Sequence, residues 1–481
     1  MKLSVKHKLS ALRMKMSQHK LDGWIAPRQD EFQGEYVAAY AERLRWLTGF
    51  SGSWGTAVVL KREAAIFVDG RYTSQVKDQV PTSAYQHHHL MKEPPADWIK
   101  SHLKRGQRLG YDPMLHTIAD AARYREACVA VGATLVAQSG NLIDEIWGDQ
   151  PERKSLPLFL QPEKYAGRSA KVKLADIAKA MANQGADHAF LAEPSSVAWV
   201  FNLRGRDVAY TPVVLAFALL HRSGKAELFA EDAALPADVR KALKALVTFR
   251  APKELPARLK ALAKKRVLLD ANSTPDFVAE KLKAAKAQVV LGKDPCTLPK
   301  AQKNAVEQQG ARDAQKRDGV ALSAFLHWFS QEAPKGKLTE GVAATRLHEF
   351  RKATGSLEDL SFEAIPAAGP NAAIPHYHLP DAKGRAIKMN EIFLIDSGGQ
   401  YRDGTTDVTR TVIVGKPSAE MRDRFTRVLK GMIAISRLRF PEGTTGGHID
   451  SLARAALWQA GLDFDHGTGH GVGSLPTDGI Q

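Results

Sequence analysis

Leu9, Leu12 and Met16 recur at the spacing of one helix face and predict a core-facing helix around Lys8–His19. Gly23–Ala26 reads as a strand, and Ala57–Leu60 and Ala64–Val68 as two short apolar strands parted by a charged turn, with Asp69-Gly70 closing the second. The order returns after residue 170. Lys173–Gln184 reads as a helix and His188–Ala192 as a strand. Val213–Leu220 and Ala226–Phe229 follow, separated by Ser223-Gly224. Trp46 and Trp199 hold comparable places between the first strand and the hairpin. One α/β unit used twice accounts for this; chance recurrence of a common helix–strand–hairpin order accounts for it equally.

Two joints interrupt the pattern. Asp149–Leu160 is rich in proline and charge, and Asp294-Pro295 to Pro299 is a second break. Beyond it, Ala301–Glu332 has a long helical pattern whose expected apolar face is Val320, Leu322, Phe325, Leu326 and Phe329. A chain of 481 residues exceeds one ordinary core. The breaks divide it into three expected domains, 1–150, 151–297 and 298–481, of mixed α/β (α+β) class.

Composition narrows the function classes. Hydrophobic residues at 44% and charged residues at 25% are ordinary for a globular protein. No apolar run reaches the ~18 residues of a membrane span. The N-terminus, Met1–Met16, is basic and free of acids. That composition is shared by organellar transit segments, but the spacing of its apolar residues favours the folded helix. The two cysteines, Cys128 and Cys296, match no zinc or redox spacing, and a reducing cytoplasm is the expected location. The net charge of +16 raises nucleic acid as a partner. The basic residues, however, are spread over helical patterns such as 257–265 and 277–286, without interleaved aromatics. A solvated surface is therefore expected, with no nucleic-acid and no membrane partner.

Three segments carry chemistry. Ile392-Phe393-Leu394-Ile395 is an apolar strand running into Asp396. A polar turn, Ser397–Thr405, precedes Asp407 and a second strand through Val408, Thr411, Val412 and Ile413. Asp is disfavoured in strands, and two of them at facing strand ends repel unless a cation lies between them. Hard divalent ions prefer such oxygens; two turn-capping aspartates satisfy the same spacing. Asp403, before Gly404, fits a plain turn residue. The second segment, His466-Gly467-Thr468-Gly469-His470-Gly471-Val472-Gly473, offers two imidazoles on a glycine-rich backbone. It suits metal binding or proton handling, or else is a flexible loop with incidental histidines. It fits neither a dinucleotide fingerprint nor a P-loop. The third, Gly369-Pro370-Asn371 with His376-Tyr377-His378, is weak in isolation.

Taken in order, these segments resemble a known family. Leu360-Ser361-Phe362-Glu363, Gly369-Pro370-Asn371, His376-Tyr377, Asp396-Ser397-Gly398, 403–411, 440–446 and 466–471 together are similar to the catalytic domain of the aminopeptidase P family. That domain has the pita-bread metallopeptidase fold. Trp46-Leu47-Thr48-Gly49-Phe50 and Asp69-Gly70-Arg71-Tyr72 resemble the first of two creatinase-N-type domains preceding it, and 163–167 the entrance to the second. The likeness is to the three-domain form shared with eukaryotic cytosolic enzymes. It implies two divalent metal ions, usually Mn²⁺, with Asp396 on one, Asp407 bridging both and His470 on the other. It implies that His376 and His466 line the substrate pocket. It also implies a homodimer, and peptide substrates with proline in second position, from which the N-terminal residue is released. A proline amide lacks an N–H and is conformationally fixed, so it needs a dedicated pocket. The implied chemistry is two-metal hydrolysis with a carboxylate relaying the proton.

The resemblance ends at Ser474. The family continues with a further pocket histidine and two glutamates, whereas this sequence reads Leu475-Pro476-Thr477-Asp478-Gly479-Ile480-Gln481. A pita-bread domain incomplete at its C-terminus is therefore expected. Two divalent ions carry four positive charges, and Asp396, Asp407 and one hydroxide return three. One weakly held metal and impaired activity follow. Prolidase, methionine aminopeptidase and creatine amidinohydrolase share the fold and are rival activities. A pita-bread module that binds peptides or histones without catalysis is a rival of another kind.

Overall fold

The computed structural model describes residues 3–379 and 383–473. The chain forms two compact units. One runs up to Asp313 and includes Gln400–Thr405; the other comprises Ala314–Gly399 and Thr406–Val472.

In the first unit, helix α1 (Val5–Gln18) is capped by Ser4 and buries Leu9, Leu12 and Met16. Strands β1 (Gly23–Pro27), β2 (Thr56–Leu60), β3 (Ala64–Val68), β4 (Gln86–His89), β5 (Arg108–Tyr111) and β6 (Thr134–Ala137) form one sheet ordered β4-β3-β2-β1-β5-β6. Its β1–β2 and β2–β3 pairings are antiparallel, while β3–β4, β1–β5 and β5–β6 are parallel. The short helix α2 (Arg43–Thr48) carries Trp46.

The sequence after residue 160 builds the same object again. Helix α3 (Ala170–Asn183), capped by Ser169, precedes β7 (His188–Leu191), and α4 (Pro194–Phe201) carries Trp199. Strands β8 (Phe217–His221), β9 (Ala226–Phe229), β10 (Val247–Arg250), β11 (Arg266–Leu269) and β12 (Gln288–Leu291) join β7 in the order β10-β9-β8-β7-β11-β12. The parallel and antiparallel pairings match those of the first sheet one for one. The recurrence seen in the sequence is thus a repeated topology. It extends to side chains. Lys8 of α1 donates its Nζ to the Trp46 carbonyl at 2.6 Å and lies 4.8 Å from the Trp46 ring centroid. Lys173 of α3 does the same to Trp199 at 2.9 Å and 4.5 Å.

Three expectations are corrected. Val213–Leu220 is a strand only from Phe217, because Val213 and Ala216 spend their N–H groups on the nearby Thr211 and Val214 carbonyls. The long helix α5 (Ala305–Glu332) begins at Ala305, because Asn304 accepts from the Val306 and Glu307 amides while Glu307 accepts from the Asn304 amide. Val320 is 67% exposed and not part of the buried face; Leu322, Phe325 and Phe329 are buried and Leu326 is packed against them. The core-facing turn before Leu322 carries Asp318, which takes a two-pronged bond from Arg351 at 2.7 and 3.0 Å.

In the second unit, α6 (Glu340–Lys352) packs on a three-stranded sheet of β13 (Ile365–Ala368), β14 (Glu391–Ser397) and β15 (Val408–Val414), with β14 central. Phe393 and Ile395 of β14 point into the core with Leu322, Phe325 and Phe329. Helices α7 (Ala419–Ser436) and α8 (Gly446–Trp458) follow. No helix among the described residues is long and apolar enough to cross a membrane.

Candidate metal centre

Alternation along β14 sends Phe393 and Ile395 inward and leaves Asp396 at the strand end, paired with Thr409 on β15 and with Ile365 on β13. Asp407 immediately precedes β15. The crossing between the two carboxylates is fixed by backbone. Gly399 donates to Thr406 Oγ1 at 2.9 Å, and Thr406 donates its amide to the Gly399 carbonyl at 2.9 Å. Ser361 Oγ donates to the Thr406 carbonyl at 2.8 Å. A Cβ on Gly398 would lie 1.9 Å from that carbonyl, so no larger residue fits. In the first unit, the turn residue Gln400 donates to the Tyr210 carbonyl at 3.0 Å, and the Arg402 carbonyl accepts from Gln161 at 2.8 Å.

The electrostatics are those of an acidic pair needing a counter-charge. Burial, and next the charge of Asp407, push the Asp396 carboxyl above the usual carboxylate range, against the opposing pull of Thr409, the Ser397 amide and His470. Asp396 Oδ1 is buried and has no hydrogen-bond partner among the described residues. His470 Nε2 stands 3.3 Å from Asp407 Oδ2. Asp396, Asp407 and His470, though 74 residues apart at the extremes of the chain segment (396 to 470), therefore share one neighbourhood. Two carboxylates, one of them with an unused buried oxygen, and an imidazole are donors of the kind a hard divalent cation takes. Among the described residues no three His, Cys, Asp or Glu side chains form a ready-made cage.

The two expected pocket histidines are placed differently. His376 is half-buried in the segment after the 3-10 turn Gly369–Ala373. His466 is exposed, its ring 4.7 Å from that of Phe464 and its Nδ1 2.8 Å from the Gly467 carbonyl. Among the described residues, a Cβ on Gly467 or Gly469 would meet nothing within 4 Å. The glycine-rich segment is tied down by α8. Arg454 donates to the Phe464 and His466 carbonyls at 2.5 and 2.8 Å, and Asp450 accepts from Thr468. His378 pairs with Glu363 at 2.9 Å. The residues from Ser474 on, where the resemblance breaks off, lie outside the described residues.

Sequence reading missed Glu340, Asp450 and Arg454. A charged residue in the first turn of a helix, or an Asp–Arg pair four apart, is ordinary surface pattern. Only the fold shows that these groups face the functional loops.

Comparison with known proteins places this geometry. Residues 309–479 match the model of metallopeptidase family M24, and residues 8–146 and 149–307 each match a creatinase/prolidase N-terminal domain model. A protein described as "Probable Xaa-Pro aminopeptidase P" from Pyrenophora teres f. teres is 35% identical over 98% of this chain and 74% of its own length. The chain belongs to the Xaa-Pro aminopeptidase P family of M24 metallopeptidases. A family member so described from Paracoccidioides lutzii is 36% identical over 97% of this chain and 78% of its own. The crystal structure of an X-prolyl aminopeptidase from Caenorhabditis elegans, a cytosolic enzyme with a di-nuclear active site, superposes with a TM-score of 0.93. It shares 31% identity and covers 98% of this chain and 80% of its own. An Xaa-Pro dipeptidase from Bacillus anthracis is 20% identical with a TM-score of 0.51 over 65% of this chain and 84% of its own, a likeness of fold alone. The two repeated sheets are accordingly the two creatinase-N domains, and the β13–β15 sheet with α5–α8 belongs to the pita-bread domain.

Proposed function

We propose that this chain acts as a metal-dependent aminopeptidase on peptides with proline in second position, releasing the residue before the proline. Asp396, Asp407 and His470 are the metal ligands in this reading, and His376 and His466 line the substrate pocket. Two divalent ions, Mn²⁺ by family, would polarise the scissile carbonyl when bound. The chain's own residues set the charge and the orientation. The hairpin register fixes the Asp396–Asp407 separation, and His470 approaches Asp407 from the glycine-rich segment. The observation that carries the reading is the unpartnered buried Oδ1 of Asp396 beside the Asp407–His470 pair.

The same reading divides the chain near residues 150 and 297 and takes the working form to be a cytoplasmic homodimer. Two carboxylates and one imidazole balance one divalent ion better than two.

Mn²⁺ titration followed by electron paramagnetic resonance, together with hydrolysis of Arg-Pro-Pro, tests this. Expected are Mn²⁺ binding, its loss in Asp407→Asn, and loss of Arg-Pro-Pro cleavage in the same variant. Mn²⁺ binding indifferent to Asp407→Asn sinks the ligand assignment. Arg-Pro-Pro left intact by the Mn²⁺-loaded protein sinks the aminopeptidase reading. Cleavage confined to Xaa-Pro dipeptides points to prolidase instead.

A further inference from the structure

We propose that Glu340 is the residue that positions His376, a role resting on the reading of His376 as a pocket side chain. Glu340 is the first residue of α6 and is fully buried. Its Oε1 accepts from the Ala368 amide and from Asn371 Nδ2, both at 2.8 Å. Its Oε2 accepts from the Tyr377 hydroxyl and from the Arg385 amide, both at 2.9 Å. A carboxylate has about four lone-pair directions, and each here meets a donor. The donors come from separate points: the end of β13, the 3-10 turn Gly369–Ala373, the residue next to His376, and the chain returning toward β14.

Helix capping does not explain this arrangement. Thr339 already accepts from the Val342 amide at the start of α6. Nor does packing need a carboxylate there; a buried charge is weak evidence for stability and is retained where it enforces one geometry. The segment it holds also carries the Ile374 amide on the Asn371 carbonyl at 3.0 Å, the Tyr377 amide on the Ile374 carbonyl at 3.2 Å and the His378–Glu363 pair. β13, clasped at Ala368, pairs with β14 so that Ile365 faces Asp396. One carboxylate thus sets the His376 loop against the strand beside the metal ligands, without itself being one of them. The fit around it is close: a Cβ on Gly384, whose φ is +62°, would lie 2.7 Å from Glu340 Oε2.

Glu340→Gln keeps the shape but turns one acceptor into a donor facing other donors, and Tyr377→Phe removes the hydroxyl that donates to Glu340. The test measures Arg-Pro-Pro affinity of the Mn²⁺-loaded 481-residue chain by calorimetry, with Mn²⁺ affinity and melting temperature alongside. Each variant is expected to weaken tripeptide binding about tenfold while leaving Mn²⁺ affinity within about twofold. Added to His376→Ala, each is expected to cost nothing further, since the loss runs through the same imidazole. The proposal is overturned if His376→Ala weakens binding but Glu340→Gln and Tyr377→Phe do not, or if their effects multiply with it. An unchanged affinity in His376→Ala overturns the pocket role of His376 and the proposal with it. Should Glu340→Gln fail to fold, Tyr377→Phe alone decides.

Discussion

His188 begins β7, its ring 4.8 Å from that of His221, with Nδ1 buried and unpartnered. Burial first, then the charges of His221 and Arg258, lower its pKa from 6.5 to about 4. Between these values the unfolded chain takes up a proton that the folded chain refuses. Stability therefore rises with pH across that window and is lost as pH falls through it, by on the order of 1–3 kcal/mol. Urea unfolding at stepped pH checks this, and His188→Asn is expected to flatten the slope between about pH 4 and 6.5. At this scale the Asp396–Asp407 pair stood out in the sequence, because a carboxylate at the end of an apolar strand is out of place unless something cationic meets it, although two turn-capping aspartates satisfied the same spacing. The half-exposed approach of His470 to Asp407 was legible only through family likeness, since nothing in local periodicity brings residue 470 to residue 407. Glu340 was not legible: its four donors are spread over residues 368–385 and converge only on folding.

The elements themselves were mostly written in apolar spacing. β3 and β9 have the bounds their apolar runs predict, and α1 buries the three residues its stripe names. Periodicity failed where a polar pair occupies the core. On α5 the buried stripe passes through Asp318, not Val320, because Arg351 of α6 answers the charge; both are almost wholly buried. Removing Arg351 takes the two-pronged bond from a buried carboxylate. Arg351→Ala is expected to cost about 3–5 kcal/mol, whereas replacing both Asp318 and Arg351 with apolar residues of similar volume should recover most of that. Chemical denaturation of the single and double variants distinguishes the two outcomes. A double variant as unstable as Arg351→Ala would show that packing, not the unpaired carboxylate, carries the loss.

Across the molecule, the identical strand orders of the two sheets were half-visible as a recurring helix, strand, tryptophan and hairpin. The sheet order itself was not, since β5, β6, β11 and β12 return to their sheets through connections that leave no local signal. The two lysine–tryptophan contacts give the repeat unequal weight. Lys173 is buried and also donates to Asn202 Oδ1 at 2.7 Å, while Lys8 is half-buried. Lys173→Met is expected to cost about 1–3 kcal/mol by taking the lysine from the buried Asn202 Oδ1 and leaving the Trp199 carbonyl only its 3.4 Å bond from the Asn202 amide, and Lys8→Met less than about 1 kcal/mol. Equal losses in urea unfolding would argue that the two contacts do the same job.

The repetition also has a kinetic side. A chain that contains the same weave twice offers each nascent strand a counterfeit neighbour, with β1 able to court β8 as well as β2. The Ser4–Lys8–Trp46 and Ser169–Lys173–Trp199 clasps are closed within their own halves. Each joins a helix to the short helix that precedes its own hairpin, a contact that favours pairing within one half over pairing across the two.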